Sequence, residues 1–307
     1  MKLALALVLV ASVASAGTVN RPEAIDLDSD MTPPGRAEFG FDGGGDVGQY
    51  ALSLQLGYLD RPMRVHTVDL ETFPVDRRET VWLGGALTLG TSVVVDARMP
   101  LSHQTGDRWR GWGDDRPLDR WVAGDLALGA RIRVVHRDRF SAFFRGALTF
   151  GTGNDHQFAG DSRYSASWLL IGRTTLPHDI VIAATGGIKL RGAEVQVADR
   201  LVGDELLGGI GASVPIPGCL HVTGELVGAL GDDVAHKRGP SPAEARIGVL
   251  AHPRSWLAVA FRVGTHLDDQ IGAARFRAML ELVYTGPPVV ERPREAWPDE
   301  DEEDSDD

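Results

Sequence analysis

The chain has 307 residues, with 43 acidic against 31 basic side chains and a formal net charge of −12. Its mean hydropathy of −0.10 excludes a bundle of membrane-spanning helices. Beyond residue 16 no run approaches the roughly 18–20 consecutive apolar residues that such a helix needs. Acidity without a basic cluster argues against nucleic acid as a partner, because counterion release requires Lys and Arg on one face. The single cysteine, Cys219, excludes an internal disulfide framework and a zinc ribbon.

The chain opens with a short positive start at Lys2, an apolar run from Leu3 to Val13, and the small residues Ala14-Ser15-Ala16. That is the pattern of a secretory signal peptide over 1–16, with the mature chain starting near Gly17. A short periplasmic segment is expected over 17–35, so the protein is expected in the cell envelope.

From about Arg36 to Tyr284 the dominant periodicity is two, which belongs to strands. In Val122–Val134 the even positions are all apolar or glycine, while the odd positions include Asp125, Arg131 and Arg133. Leu220, Val222, Gly224, Leu226, Gly228 and Leu230 alternate with His221, Thr223 and Glu225. Successive side chains on a strand point to opposite faces, so each segment has one oily face and one charged face. Helical periodicity of comparable length is absent from the sequence.

Fourteen such segments are expected, near 36–44, 48–58, 63–71, 79–89, 92–100, 120–135, 140–151, 162–176, 179–191, 202–215, 219–231, 243–251, 256–267 and 274–285. Tight turns at 59–62, 90–91, 136–139, 177–178, 216–218 and 252–255 alternate with generally longer polar links. Short turns on one side and longer loops on the other are the asymmetry of an outer-membrane barrel. Hydrocarbon offers no partner to backbone N–H and C=O, so only helices and closed sheets cross it. The expected fold is therefore an all-β, antiparallel, up-and-down transmembrane β-barrel over 36–286, with about fourteen strands and twelve also possible.

The polar face is then expected to line the lumen, through Gln55, Asp125, Arg131, Arg133, Arg145, Lys189, Glu225, Glu244, Arg246, Arg262, Arg277 and Glu281. Each Arg or Lys placed instead against lipid near midplane would cost roughly 2–4 kcal/mol. In the last strand, Phe276, Leu280, Leu282 and Tyr284 form an alternating apolar pattern with a closing aromatic. It resembles the signal that barrel-assembly machinery reads in outer-membrane proteins, and implies that machinery as a partner.

The strings VAGDLALGARIRVV (122–135), GTGNDHQFAGD (151–161), VGDELLGGIGASVPIP (202–217), GELVGALG (224–231) and SPAEARIGVLA (241–251) carry a wider resemblance. In this order the chain resembles the myxobacterial-type outer-membrane β-barrel that often precedes OmpA-type domains. It is similar, more loosely, to barrel proteins assigned to transport in phenol-degradation pathways. The resemblance implies an envelope barrel. The OmpA-type domain has no counterpart in this sequence, so peptidoglycan binding is not carried over.

After Gly286 come Pro287, Pro288, Pro293 and Pro298, then a block over 299–307 of eight acidic residues and one serine. Such composition predicts a disordered tail over 287–307. No catalytic motif, metal-ligand spacing or cofactor fingerprint is present. Ser102 beside His103 is the nearest to a nucleophile pair, yet adjacent strand residues point apart. Trp109, Trp112 and Trp121 flank the longest loop and fit an interfacial aromatic belt or an inward-folding loop. No enzyme activity is expected. Three functions stay open: a passive channel for small solutes through a mixed-charge lumen, a structural or interaction barrel whose lumen is plugged by ion pairs, and a soluble secreted β-sandwich.

Overall fold

The computed structural model describes residues 48–66, 71–90, 92–107, 118–153, 160, 163–192, 195–197, 200–231, 241–254, 256–267 and 273–286. The proposed signal peptide, the segment over 17–35, the first expected strand over 36–44 and the acidic tail lie outside these residues.

Fifteen strands follow in chain order: β1 Tyr50–His66, β2 Glu71–Gly90, β3 Val93–Gly106, β4 Leu118–Ala123, β5 Leu126–Arg137, β6 Phe140–Phe150, β7 Ser165–Thr175, β8 Val181–Arg191, β9 Val195–Val197, β10 Arg200–Val202, β11 Glu205–Ile216, β12 Leu220–Gly231, β13 Ala243–Arg254, β14 Leu257–His266 and β15 Phe276–Thr285. Strands β9 and β10 form a small separate hairpin; the other thirteen make one sheet. Every pairing in that sheet is antiparallel, and β1 pairs with both β2 and β15. The ring closes through β2–β3. Strand β3 pairs with β5 through Val93–Arg98 and with β4 through Leu101–Gly106. Thus β4 and β5 are two halves of one stave, and the wall is a closed barrel of twelve staves. It is a single cylinder, not two stacked sheets.

Of the fourteen expected strands, 36–44 lies outside the described residues and two others merge, which leaves twelve staves. The Leu59-Asp60-Arg61-Pro62 sequence, expected to turn the chain, instead makes a bulge inside β1. The register against β2 shifts between Asp60 and Met63, and Arg61 takes a left-handed φ of 49°. Pro62 is tolerated because a bulge already frees its backbone from the ladder. The expected strands 48–58 and 63–71 thereby become one 17-residue strand. The expected loop 72–78 is the first part of the 20-residue β2. The connections β2–β3, β5–β6, β7–β8, β11–β12 and β13–β14 fall close to the expected short turns, although β5 runs on to Arg137 and β13 to Arg254.

Alternation dictates which way each side chain faces. In a single closed layer, buried side chains have only the interior to face, and exposed ones look outward. On β12, Thr223, Glu225, Val227 and Ala229 are buried while Leu226 and Leu230 are half or more exposed. On β14, Ala258, Ala260 and Arg262 are buried against an exposed Phe261. From Leu126 of β5 to Tyr284 of β15 the outward positions carry Asp, Glu, Lys or Arg only at Arg137 and Arg254, both at strand ends beside short turns, among the described residues.

Aromatic rings bracket that uncharged belt. At the short-turn end Tyr284 lies 6.2 Å from Tyr50 and 5.8 Å from Trp256, centroid to centroid. At the loop end Tyr58 lies 6.4 Å from Phe276, and Trp121 lies 5.4 Å from the His103 ring. Phe276 and Tyr284 are about 27 Å apart along a strand rising ~3.4 Å per residue. A tilt of about 40° reduces this to roughly 21 Å, comparable with the ~25 Å apolar band of a membrane barrel.

The stave containing β4 and β5 departs from simple alternation. Trp121 is exposed and Val122 buried, whereas Leu128 and Ile132 are exposed and Arg131 buried. The inward face therefore changes from even to odd positions at Gly124-Asp125, and the expected continuous strand 120–135 is broken there. The break is satisfied locally. Leu126 N–H donates to Thr152 Oγ1 at 2.9 Å, and Gly124 N–H donates to the Pro100 carbonyl at 2.8 Å.

The outward face makes a direct prediction. Leu226→Arg places a cation against lipid at a cost of roughly 2–4 kcal/mol near midplane, while Glu225→Gln, next to it, keeps the outer surface unchanged. Heat-modifiable gel migration of membrane fractions is expected to show the folded form for Glu225→Gln and its loss for Leu226→Arg. Equal assembly of both would show that the two faces are misassigned.

Candidate functional site: the inner wall

The densest charge cluster sits on β12–β15. Period two puts Glu225 on β12, Glu244 and Arg246 on β13, Arg262 on β14, and Arg277 and Glu281 on β15 on the buried face. Register then brings them together. Glu225 is directly opposite Arg246, and Gly264 lies opposite both Arg246 and Arg277. A Cβ on Gly264 would stand 2.9 Å from Arg246 Cγ, so glycine there leaves room for the arginine stem to lie along the wall.

Glu244, at 0% exposure, is the centre of one network. Arg277 donates to it from Nε at 2.9 Å and from Nη2 at 3.0 Å. Arg246 donates from Nε at 3.2 Å and Nη2 at 3.1 Å. The Ala274 backbone N–H adds a bond of 3.1 Å to Oε1. A second network runs beside it: Arg262 Nη1 donates to Glu281 at 3.1 Å, and Arg262 Nε lies 3.4 Å from Glu225 Oε1. Three carboxylates face three guanidinium groups, so this side of the wall is neutral.

A second cluster lies on β3, β5 and β6. Arg145 reaches across β5 to Asp96 on β3, Nη2 to Oδ1 at 3.1 Å, with side chains 2% and 6% exposed. Gly129 lies between them and directly opposite Asp96; a Cβ there would come within 2.7 Å of the carboxylate. Arg131 is directly opposite Arg145. Further round, Lys189 is opposite Glu205, and Arg191 pairs with Glu205 at 3.1 Å.

Of the residues singled out in the sequence, Arg131, Arg145, Lys189, Glu225, Glu244, Arg246, Arg262, Arg277 and Glu281 are buried. Gln55 is half-buried, its Nε2 3.4 Å from Met279 Sδ, and Arg133 is half-buried opposite Phe143. Asp125 is buried, but at the stave break and not within a strand. Its Oδ1 accepts from Gly153 N–H at 2.7 Å, which docks the start of the following loop. In β15, Phe276 and Tyr284 are exposed, and the half-buried Leu280 and Leu282 share their face.

Sequence reasoning missed Asp96, Arg78, Arg191 and Glu205. Asp96 and Arg98 are two apart in Val93–Met99, so the same period-two signal would have found both. It also missed that the interior is partly apolar: Phe143, Leu169, Ile171, Leu207, Val227 and Ala229 form one buried cluster. Ser102 and His103 diverge as adjacent strand residues must. Ser102 Oγ lies 3.0 Å from Thr80 Oγ1, while His103 stacks near Trp121. Cys219 is exposed in the turn after β11. Trp109 and Trp112 lie outside the described residues.

Breaking a buried ion pair by removing one partner costs about 3–5 kcal/mol, because the remaining charge is stranded. Glu244→Ala strands two arginines, so its folded barrel is expected to melt at markedly lower temperature in the gel-shift assay than wild type. Replacing Glu244, Arg246 and Arg277 together by apolar residues of similar volume should recover most of the loss. Unchanged melting of Glu244→Ala would show that the network adds nothing to stability.

No family model matches the sequence, and no curated protein matches it. Solved structures do match. The COG4313 outer-membrane channel from Pseudomonas putida F1 aligns with a TM-score of 0.61 at 13% identity, over 80% of this chain and 98% of that one. The NanC porin aligns with a TM-score of 0.52 at 6% identity, over 76% of this chain and 98% of the porin. At such identity the likeness is one of fold. With its uncharged outer belt and aromatic girdles, the chain has the architecture of an outer-membrane β-barrel of the channel and porin type.

Proposed function

We propose that the protein is a passive outer-membrane channel for small solutes, its path lined by the charged inner wall. The observation that carries this reading is the sorting of charge: ionisable side chains line the inside of a closed cylinder, while the outward charges of its staves, such as Asp60, Glu79, Arg137 and Arg254, stay at the strand ends. A barrel serving only as an anchor needs the outer belt but has no use for a charged interior, which costs desolvation. The fold shared with the COG4313 channel and the NanC porin supports the same reading. The narrower kinship with myxobacterial-type barrels rests on the sequence strings alone.

A second reading, a structural barrel with a plugged lumen, is favoured by one observation. Glu244, Arg277 and Arg145 are 0%, 1% and 2% exposed, values that describe filled space more than a water-lined wall. Planar bilayers separate the two. A channel gives discrete current steps with wild-type protein. A plugged barrel leaves the wild-type membrane sealed, and steps appear only when Glu244, Arg246 and Arg277 are truncated together to Ala.

The outward face of β15, with Phe276, Leu280, Leu282 and Tyr284, is proposed as the segment presented to barrel-assembly machinery. Phe276→Ala combined with Tyr284→Ala should slow assembly in cells while leaving folding of the purified chain into detergent unchanged. Slowing of both to the same degree would assign these rings to the folded wall and not to recognition.

A further inference from the structure

The charges of the inner wall are not evenly distributed around the barrel. On β12–β15 three carboxylates balance three arginines, as described above. On β3, β5, β6 and β7 the balance is different. Alternation directs Arg98, Arg131, Arg133, Arg145 and Arg173 to the buried face of these four strands. Register supports each placement, since their direct partners are inward residues. Arg98 faces Ala127, Arg131 faces Val94 and Arg145, Arg133 faces Phe143, and Arg173 faces Ala183. The one acidic residue on the inner face of these strands is Asp96.

Exposure sorts the same residues a second way. The inward charges that are nearly fully buried include both signs: Asp96, Glu225, Glu244 and Glu281 are found there with Arg131 and Arg145. Those that stay half-buried on these four strands, and so reach the interior space, are Arg98, Arg133 and Arg173, all basic. Arg131 and Arg145 stand directly opposite each other, and the Asp96 carboxylate that pairs with Arg145 is the one acidic side chain on the inner face of these strands. A low-dielectric wall bearing one sign of charge focuses its field into the space it encloses. Rings and patches of Arg or Lys are the device by which pores favour anions. The guanidinium fork suits carboxylate and phosphate oxygens.

We infer that the path through this barrel prefers anions, with the arginine-rich inner wall of β3, β5, β6 and β7 as the selecting element and small carboxylate- or phosphate-bearing solutes as the class admitted. This deepens the channel reading and rests on it. It depends on the sign of the charges on that wall, whatever further contacts each side chain makes.

The test is the reversal potential of full-length protein in planar bilayers under a potassium chloride gradient. Wild type should show chloride permeability several-fold above potassium. Arg98→Glu, Arg133→Glu and Arg173→Glu combined should bring the ratio to one or below. The Arg→Gln triple, which removes charge without adding opposite charge, should fall between and keeps the test valid if the Glu variant fails to assemble. Folding of each is checked by heat-modifiable migration. Current with a ratio at or below one in wild type overturns the anion preference and leaves the channel standing. A preference unmoved in folded variants overturns the assignment to this wall. A membrane that stays sealed overturns the channel, and the selectivity with it.

Discussion

The closing ladder between β1 and β15 is the interaction on which the rest depends. Ten consecutive residues of β1, Ala51 to Asp60, pair with Thr285 to Phe276 in unbroken antiparallel register. Without that ladder the sheet would leave two rows of unpaired N–H and C=O groups in hydrocarbon, each costing several kcal/mol. Closure removes both edges at once, which no local change could do. It also creates an inside, and only then can charged residues be hidden from lipid without leaving the membrane. Tyr284 links the ladder to the membrane surface, packing against Tyr50 across the seam and against Trp256 on its other side.

Once there is an inside, charge becomes a packing problem. An ionised side chain enclosed by a protein wall must be paired, and long arginines need space to lie along the sheet toward their partners. Gly129 and Gly264 supply that space by direct opposition to the groups that need it. Gly129 passes under the Asp96–Arg145 contact, and Gly264 separates the stems of Arg246 and Arg277. Glycine is a poor strand former in isolation, so its frequency here is better explained by what crosses it. The two opposed clusters use the same device with different charge balance.

Much of this was legible in the sequence because the period of two is the same signal that fixes the two faces. Glu225 and Leu226 are neighbours in sequence and opposites in environment, and the alternation of β12 alone separates them. The reading fails where that period is interrupted. At Leu59–Pro62 the residues that favour a turn were accommodated as a bulge, because β2 and β15 already pinned the flanking strand. At Gly124-Asp125 one stave changes parity, so Val122 and Ile132, on the same face in the sequence pattern, end on opposite faces. In β7 the run Trp168-Leu169-Leu170-Ile171 is apolar on both sides, and periodicity holds no information on which residues face inward. The buried apolar cluster around Leu169 is invisible to a pattern that assumes a polar interior.

Net charge misleads for a related reason. The chain as a whole is acidic by −12, and taken alone that would suggest an envelope protein attractive to cations. Yet eight of its 43 acidic residues sit in the last nine positions, far along the chain from any stave. What a permeating ion meets is set by the side chains that alternation and register turn inward, and screening within about 10 Å at ordinary ionic strength removes most of the influence of distant groups. Field inside a barrel is thus a property of strand parity more than of composition. A shift of one residue in a single stave, of the kind that Gly124-Asp125 introduces, exchanges inward arginines such as Arg131 and Arg133 for apolar neighbours and so changes the charge of the interior without altering the net charge at all.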